Sequence, residues 1–345
     1  MSGSTPLRSD LQELPRLSAL PGTEQALPAW DPFPIALRDC PCCGGRGAAV
    51  LVRPDGLPVA QCSGCRCFYV ALMLTDELLD RYYRGYWGNA KTRLLTEELA
   101  RYLVSSAPAR AAADHTLRKI GTLAGGWPGK RVLDVGCGFG EKTSMMRALG
   151  AAVRGIDVAA DAVAFVSRHL GVDASRTTLE RDPGPPAACD VVTMFEFVEH
   201  PLHPLATIEE AVRRLRPGGL LAFVTPNGTA GERRLGSRES WEGFRAEMEH
   251  LQYFHVETVA FIARRFGCRI LHLEQYGVRA PEDETAAASN ALRGRFSRLR
   301  LLAKFVPGVR AAVYALRAAQ GRRRAAILPH REDGDYHLFA VLQVP

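Results

Sequence analysis

A chain of 345 residues with 47% hydrophobic side chains has room for one large globular domain with attachments. Its formal net charge of +7 is local, because eleven Lys and Arg and no Asp or Glu fall between Thr285 and Arg331, leaving the remainder net negative. No run reaches about 18 consecutive apolar residues and no internal repeat is seen, which excludes a spanning helix and a solenoid and leads us to expect a cytoplasmic protein.

Residues 1–35 scatter Pro and Leu without a sustained apolar stretch, and we expect a loosely ordered arm. Six of the nine cysteines then fall between Cys40 and Cys67. In a cytoplasmic chain such clustering favours metal over disulfides. Cys40 and Cys43 form one C-x-x-C pair, and Cys62 and Cys65 form a second after eighteen intervening residues. Four thiolates on two tight knuckles suit one tetrahedral zinc ion, so residues 36–72 read as a zinc ribbon. Pro54, Asp55 and Gly56 mark a hairpin turn between its short apolar strands. A closed four-thiolate site has no open position for chemistry, so its role is folding and docking. Cys42 and Cys67 are spare thiols able to replace a neighbour, and the ligand register among the six stays open.

Residues 73–128 read as a helical connector, with helices near 75–86 and 91–123. From 129 the pattern alternates: strands at 131–136, 152–157, weakly at 177–181, 190–195, 219–226, 268–277 and 336–344. Helices are expected at 141–149, 161–170, 204–216 and 256–266. This predicts an α/β fold, a doubly wound Rossmann-like sheet of seven strands, the last antiparallel, built from 129–280 and 334–345. The intervening 281–333 reads as a basic amphipathic insertion. Leu292, Phe296, Leu299, Leu302 and Phe305 recur at helical spacing, fitting a lid or, through 285–331, contact with an anionic membrane surface.

In "VLDVGCGFGEKT" a buried strand runs into glycines and then a helix. The spacing of Gly136, Gly138 and Gly140 is not the dinucleotide one, since Glu141 occupies the place of the third small residue. Asp134 would repel a pyrophosphate and attract a ligand carrying an ammonium and a sulfonium, as S-adenosylmethionine does. Asp157, twenty-one residues after Gly136, is placed to accept from ribose hydroxyls.

With "GIDVA", "FEFVEH" and "LRPGGLLAFVTPN" in order after that loop, the chain resembles class I S-adenosylmethionine-dependent methyltransferases. "CPCCG", "CSGCRCFYV" and "EHLQYFHVETV" resemble the subset with an N-terminal zinc ribbon, many of whose members modify small molecules. The resemblance implies a cofactor site of Asp134, Gly136, Cys137, Gly138, Asp157, Val158 and Phe195, with adenine near Leu179 to Asp182. Glu196, just after the fourth strand, would border the methyl group with Phe195.

Methyl transfer needs an acceptor aligned behind the methyl carbon and, where required, a proton acceptor. His200, His203, His250 and His255 are candidates, with His200 and His250 on the cofactor side; His169 and His272 read as packing or surface residues. Glu196, Glu199 and His200 form E-x-x-E-H, which with His250 is similar to the divalent-metal site of small-RNA 3′-terminal 2′-O-methyltransferases and ubiquinone-pathway O-methyltransferases. Two readings stay open there: Mg²⁺ or Mn²⁺, or a metal-free site with a histidine base. The acceptor expected is a small molecule such as a sugar, a quinone-like ring or a natural-product intermediate. RNA is the alternative, disfavoured because the basic segment lacks interleaved aromatics.

Overall fold

The computed structural model describes residues 38–72, 95–236, 241–245, 250–277 and 335–345, with Leu14, Thr75, Glu77 and Leu79 besides. The expected arm apart from Leu14, most of the helix at 75–86, and the whole basic segment 285–331 lie outside the described residues. No helix among the described residues is long and apolar enough to cross a membrane.

Three strands open the described chain, β1 (Gly47–Val52), β2 (Pro58–Cys62) and β3 (Phe68–Val70), paired antiparallel in that order. The turn around Asp55 and Gly56 makes the expected hairpin, with Gly56 at φ +80°. Two helices follow. α1 (Glu97–Ala113) is capped by the Thr96 hydroxyl, which accepts from the Leu99 amide at 3.1 Å, and α2 (His115–Ala124) by the Asp114 carboxylate, accepting from Leu117 at 2.9 Å.

The alternating part comprises β4 (Arg131–Val135), α3 (Glu141–Ala148), β5 (Ala152–Asp157), α4 (Ala160–Phe165) ending in a π turn, and β6 (Asp173–Arg176). It continues through β7 (Cys189–Phe195), α5 (Pro204–Arg214), β8 (Leu215–Pro226), the short α6 (Gly228–Arg233), β9 (Gln252–Tyr253), α7 (Val256–Arg265), β10 (Arg269–Tyr276) and β11 (His337–Gln343). Seven strands form one sheet in the order β10-β11-β8-β7-β4-β5-β6, with β11 antiparallel to both neighbours, as expected. The third strand is a correction. Residues 173–176, not 177–181, pair with β5, and 179–181 form a 3-10 turn. The true strand is a polar edge, "DASR", which offers no apolar alternation to read.

Both faces of the sheet are covered, and the strands divide their side chains with period two. Val132, Leu220, Ala222, Val224, Phe339 and Val341 face α1, α2 and α3. Leu133, Leu221, Phe223, Leu338, Ala340 and Leu342 face α5 and α7. The ribbon belongs to this second core, since Cys40, Cys62, Cys65 and Tyr69 pack with Phe254 and Val259. Its sheet is completed by β9, with Phe68 opposite Tyr253 and Tyr69 opposite Gln252. The boundary drawn after residue 72 therefore does not separate two cores.

Candidate active site

Strand order reverses between β4 and β7, and in open α/β sheets the crevice beyond the carboxyl ends of such strands is where ligands bind. The glycine loop leaves β4 there. Gly136 has φ +73°, and any Cβ on it would run into the Phe197 ring, so the position demands glycine twice over. The Gly136 and Cys137 amides both donate to the Ile156 carbonyl, at 2.9 and 3.1 Å. Asp157 ties the loop to β5: its Oδ2 accepts from the Gly138 amide at 2.9 Å and its Oδ1 from Ala159 at 2.8 Å. Burial raises its pKa, against the pull of those amides.

Asp134 lies beneath the loop, 2% exposed. Its oxygens accept from the hydroxyls of Thr143 on α3, at 2.6 Å, and Thr193 on β7, at 2.8 Å. Burial pushes its pKa up to about 6. Expected to meet a ligand's positive charge, it lies under the glycine loop with one hydroxyl bonded to each oxygen. The Cys137 side chain is turned down over Gly155. Val158 is exposed at the rim, and the Phe195 ring lies 5.0 Å from the Lys142 ammonium. In the segment expected near adenine, Leu179 is buried and the Asp182 carboxylate is bound to Arg154 and Arg214, so that side chain is spent on the fold.

Beyond β7 the chain turns without forming a helix, and Glu196 takes φ +49°. Here Glu199, His200 and His250 converge, with ligand atoms all within 4.8 Å of one another. Glu199 Oε1 is 3.9 Å from His200 Nε2 and 4.0 Å from His250 Nε2, and the imidazoles meet edge to face at 5.2 Å. Glu196 adjoins this trio, its carboxyl sharing a hydrogen bond with that of Glu199, and its Oε1 is also 3.6 Å from His337 Nε2 on β11. Glu199 is fully buried, and burial, with the nearby charge of Glu196, holds its pKa well above the usual carboxylate range. Burial, then the His200 and Arg53 charges, keep His250 well below the usual imidazole value and hence neutral. Glu199 Oε2 accepts from Thr225 at 2.9 Å, whereas His250 Nδ1 has no hydrogen-bond partner among the described residues. A carboxylate and two imidazoles are a donor set that suits a divalent ion, and Glu199 Oε1 is the oxygen that faces both imidazole Nε2 atoms.

The ribbon and β9 hold this cluster in place. The Leu251 amide donates to Glu199 O at 2.7 Å, and Gln252 Nε2 to Val198 O and Pro201 O at 2.7 and 2.9 Å. Buried Arg38 reaches Val70 O, Leu202 O and Leu251 O at 2.8, 3.2 and 3.1 Å. Fully buried Arg53 pairs with Asp55 and donates to His250 O and, at 3.1 Å, to the Tyr253 hydroxyl. Neither His203, exposed before α5, nor His255, which caps α7 and lies 2.7 Å from Glu232, joins the cluster. His272 pairs with Glu274 at 2.9 Å and His169 packs near Phe165, as read from the sequence. Arg53, Thr225 and His337 were not foreseen. No local signal marks them, because each becomes important only through a partner distant in sequence.

In the ribbon the Cys40, Cys43, Cys62 and Cys65 sulfurs also lie within 4.8 Å of one another, with Cys40 to Cys65 at 3.5 Å and Cys43 to Cys62 at 3.3 Å. All nine cysteines are free thiols, and this foursome fits a tetrahedral thiolate site.

Residues 93–273, more than half of the chain, match the model of a methyltransferase domain. The ubiquinone biosynthesis O-methyltransferase of Burkholderia thailandensis is 38% identical over 109 residues, which are 29% of this chain and 46% of that protein. Its counterpart in Actinobacillus pleuropneumoniae is 38% identical over 116 residues, 31% of this chain and 50% of that one. The chain thus spans about half the length of the curated relatives it matches. Among solved structures, phosphoethanolamine N-methyltransferase 2 of Haemonchus contortus gives a TM-score of 0.47 at 18% identity, covering 76% of this chain and 60% of that one. An S-adenosylmethionine-dependent methyltransferase of Mesorhizobium loti gives 0.43 at 16% identity, covering 68% and 99%. With its glycine loop, its reversed strand order and the match across its central half, this chain belongs to the methyltransferase-domain family.

Proposed function

We propose that the protein transfers the methyl group of S-adenosylmethionine to a hydroxyl or comparable nucleophile on a small molecule, in the cytoplasm. One observation carries the reading: the glycine loop follows β4 and Glu199 and His200 follow β7, so loop and cluster stand at the carboxyl ends of the two neighbouring strands where the sheet order reverses. Gly136, Cys137 and Gly138 form the turn under the cofactor, Asp157 accepts from its ribose, and Val158 and Phe195 border it. The displacement at the methyl carbon needs alignment above all. Neutral His250, or His200 beside it, accepts the proton that the acceptor loses. The names of the half-covered relatives favour a quinone-like ring bearing a hydroxyl, among the acceptors considered. Zinc on Cys40, Cys43, Cys62 and Cys65 is structural.

The experiment is incubation with methyl-labelled cofactor and an extract of the source cells. Label should appear in the small-molecule fraction, and be lost with His250→Ala if the cofactor still binds. Label in RNA, or none in any fraction, overturns the reading.

The convergence of Glu199 Oε1 with the Nε2 atoms of His200 and His250 favours a second reading for the same edge, in which these three residues hold Mg²⁺ or Mn²⁺. Such an ion lowers the pKa of an acceptor hydroxyl and orients it. Chelation mild enough to leave zinc in the ribbon, followed by readdition of Mg²⁺ or Mn²⁺, should switch activity off and on. Unchanged turnover after verified removal leaves the histidines as the proton acceptors.

A further inference from the structure

A tetrahedral site uses four of the six ribbon cysteines and leaves Cys42 and Cys67. These two are 1% and 0% exposed, and their sulfurs lie 3.6 Å apart. With Cys40 they make a second group whose sulfurs all lie within 4.8 Å of one another. The six sulfurs therefore run as three pairs, Cys43 with Cys62 at 3.3 Å, Cys40 with Cys65 at 3.5 Å and Cys42 with Cys67 at 3.6 Å. Cys40 belongs to both groups.

Charge does not stand in the way. Arg38 is 8% exposed, and its guanidinium donates only to backbone carbonyls among the described residues. A buried cation calls for a buried counter-charge, and a thiolate centre supplies one. Four thiolates around one divalent ion carry a net charge of about −2, and six thiolates around two such ions carry the same. A second ion therefore adds no buried net charge. Oxidation of the extra pair to a disulfide fits less well, because both sulfurs are closed to an oxidant in solution, whereas a metal can be taken up while the ribbon folds.

We propose that the ribbon is a two-ion zinc centre: one ion on Cys40, Cys43, Cys62 and Cys65, and a second on Cys42, Cys67 and the shared Cys40 sulfur. Cys42 and Cys67 each release a proton as they bind, and no oxidant or reductant is involved. The proposal rests on the zinc reading of the ribbon and is independent of methyl transfer.

The full chain, purified under reducing conditions with zinc supplied and excess removed, is analysed for metal and by native mass spectrometry. Two zinc ions per chain are expected, falling to one in the Cys42→Ser/Cys67→Ser double variant with S-adenosylhomocysteine binding retained. If the double variant does not fold, zinc X-ray absorption on the unaltered chain decides: sulfur-bridged ions give a zinc-to-zinc scattering path. One zinc per chain overturns the second ion while leaving the ribbon a zinc site. No zinc, a coloured iron centre, or a mass lower by two hydrogens with Cys42 linked to Cys67 overturns the proposal outright. Methyl transfer can be measured on the same samples, so its presence or absence is judged separately.

Discussion

The Arg53 guanidinium, at the hairpin of the ribbon, donates a hydrogen bond to the backbone carbonyl of His250, 197 residues further along the chain. The same guanidinium forms a fully buried ion pair with Asp55 and reaches the Tyr253 hydroxyl, so one side chain sets the position of both the histidine and the strand that follows it.

Arg53→Met should therefore act twice. It strands the Asp55 carboxylate, which in a fully buried pair costs about 3 to 5 kcal/mol of stability, and it releases the His250 carbonyl. Adding Asp55→Leu should recover most of the stability without restoring His250. Urea unfolding and methyl transfer on the single and double variants check this: if activity returns along with stability, Arg53 has no positioning role.

Asp157→Ala removes the acceptor proposed for the ribose and also leaves the Gly138 and Ala159 amides without their partner. Each charge-assisted hydrogen bond lost to the ribose is worth about 1.5 to 3 kcal/mol, so affinity for S-adenosylhomocysteine should fall tenfold or more. Calorimetry on the folded variant measures it, and unchanged affinity would remove Asp157 from the cofactor site.

At Gly136 two obstacles can be separated. Alanine there meets a positive φ and the Phe197 ring, so Gly136→Ala should be destabilised by about 1 to 3 kcal/mol and bind cofactor poorly. Phe197→Ala in the same chain removes the clash and leaves the backbone strain, so the melting temperature should recover only in part. Full recovery would mean that the backbone tolerates the side chain.

Asp182 gives a pH signature. Burial alone would raise its pKa, but Arg154, at 2.5 and 3.0 Å, with Arg214 at 3.1 Å, outweighs burial and holds it below the ordinary value. The native carboxylate thus binds its proton less readily than the unfolded one. Its stabilisation is present above the unfolded value of about 3.9 and is lost as pH falls through the depressed native one. Asp182→Asn should cost about 3 kcal/mol at neutral pH. The gap from the unaltered chain should begin to narrow near pH 4 and close only below the depressed native value. A gap that stays constant into acid would show that the carboxylate's charge is not what stabilises the site.

The parallel sheet was legible because buried strands such as "VLDVG" and "DVVTMF" are nearly continuous in apolar residues, and the glycines after β4 mark a turn that only they can make. The paired cysteines carried the ribbon for the same reason, since their spacing is itself the geometric constraint. What sequence could not give was long-range. The polar β6 has no hydrophobic period, β9 is two residues long, and Arg53 and Asp55 look like ordinary solvated hairpin charges until the neighbour that buries them is known. At the site, Glu199 lies beside His200 and Glu196 bonds to Glu199, but the nearness of Glu196 to His337 on the last strand has no mark in E-x-x-E-H.

The pairing of Phe68 with Tyr253 sets the order of synthesis against the order of assembly. A ribosome adds about 5 to 20 residues per second, so β3 emerges roughly 10 to 40 seconds before the strand that covers its edge. Over that interval the nascent ribbon presents unpaired backbone donors and acceptors to whatever surrounds it, and an open β edge is a template for other chains. Metal uptake by the cysteine knuckles can precede translation of β9, but completion of the ribbon sheet cannot. The ribbon is thus made well before the strand that finishes it.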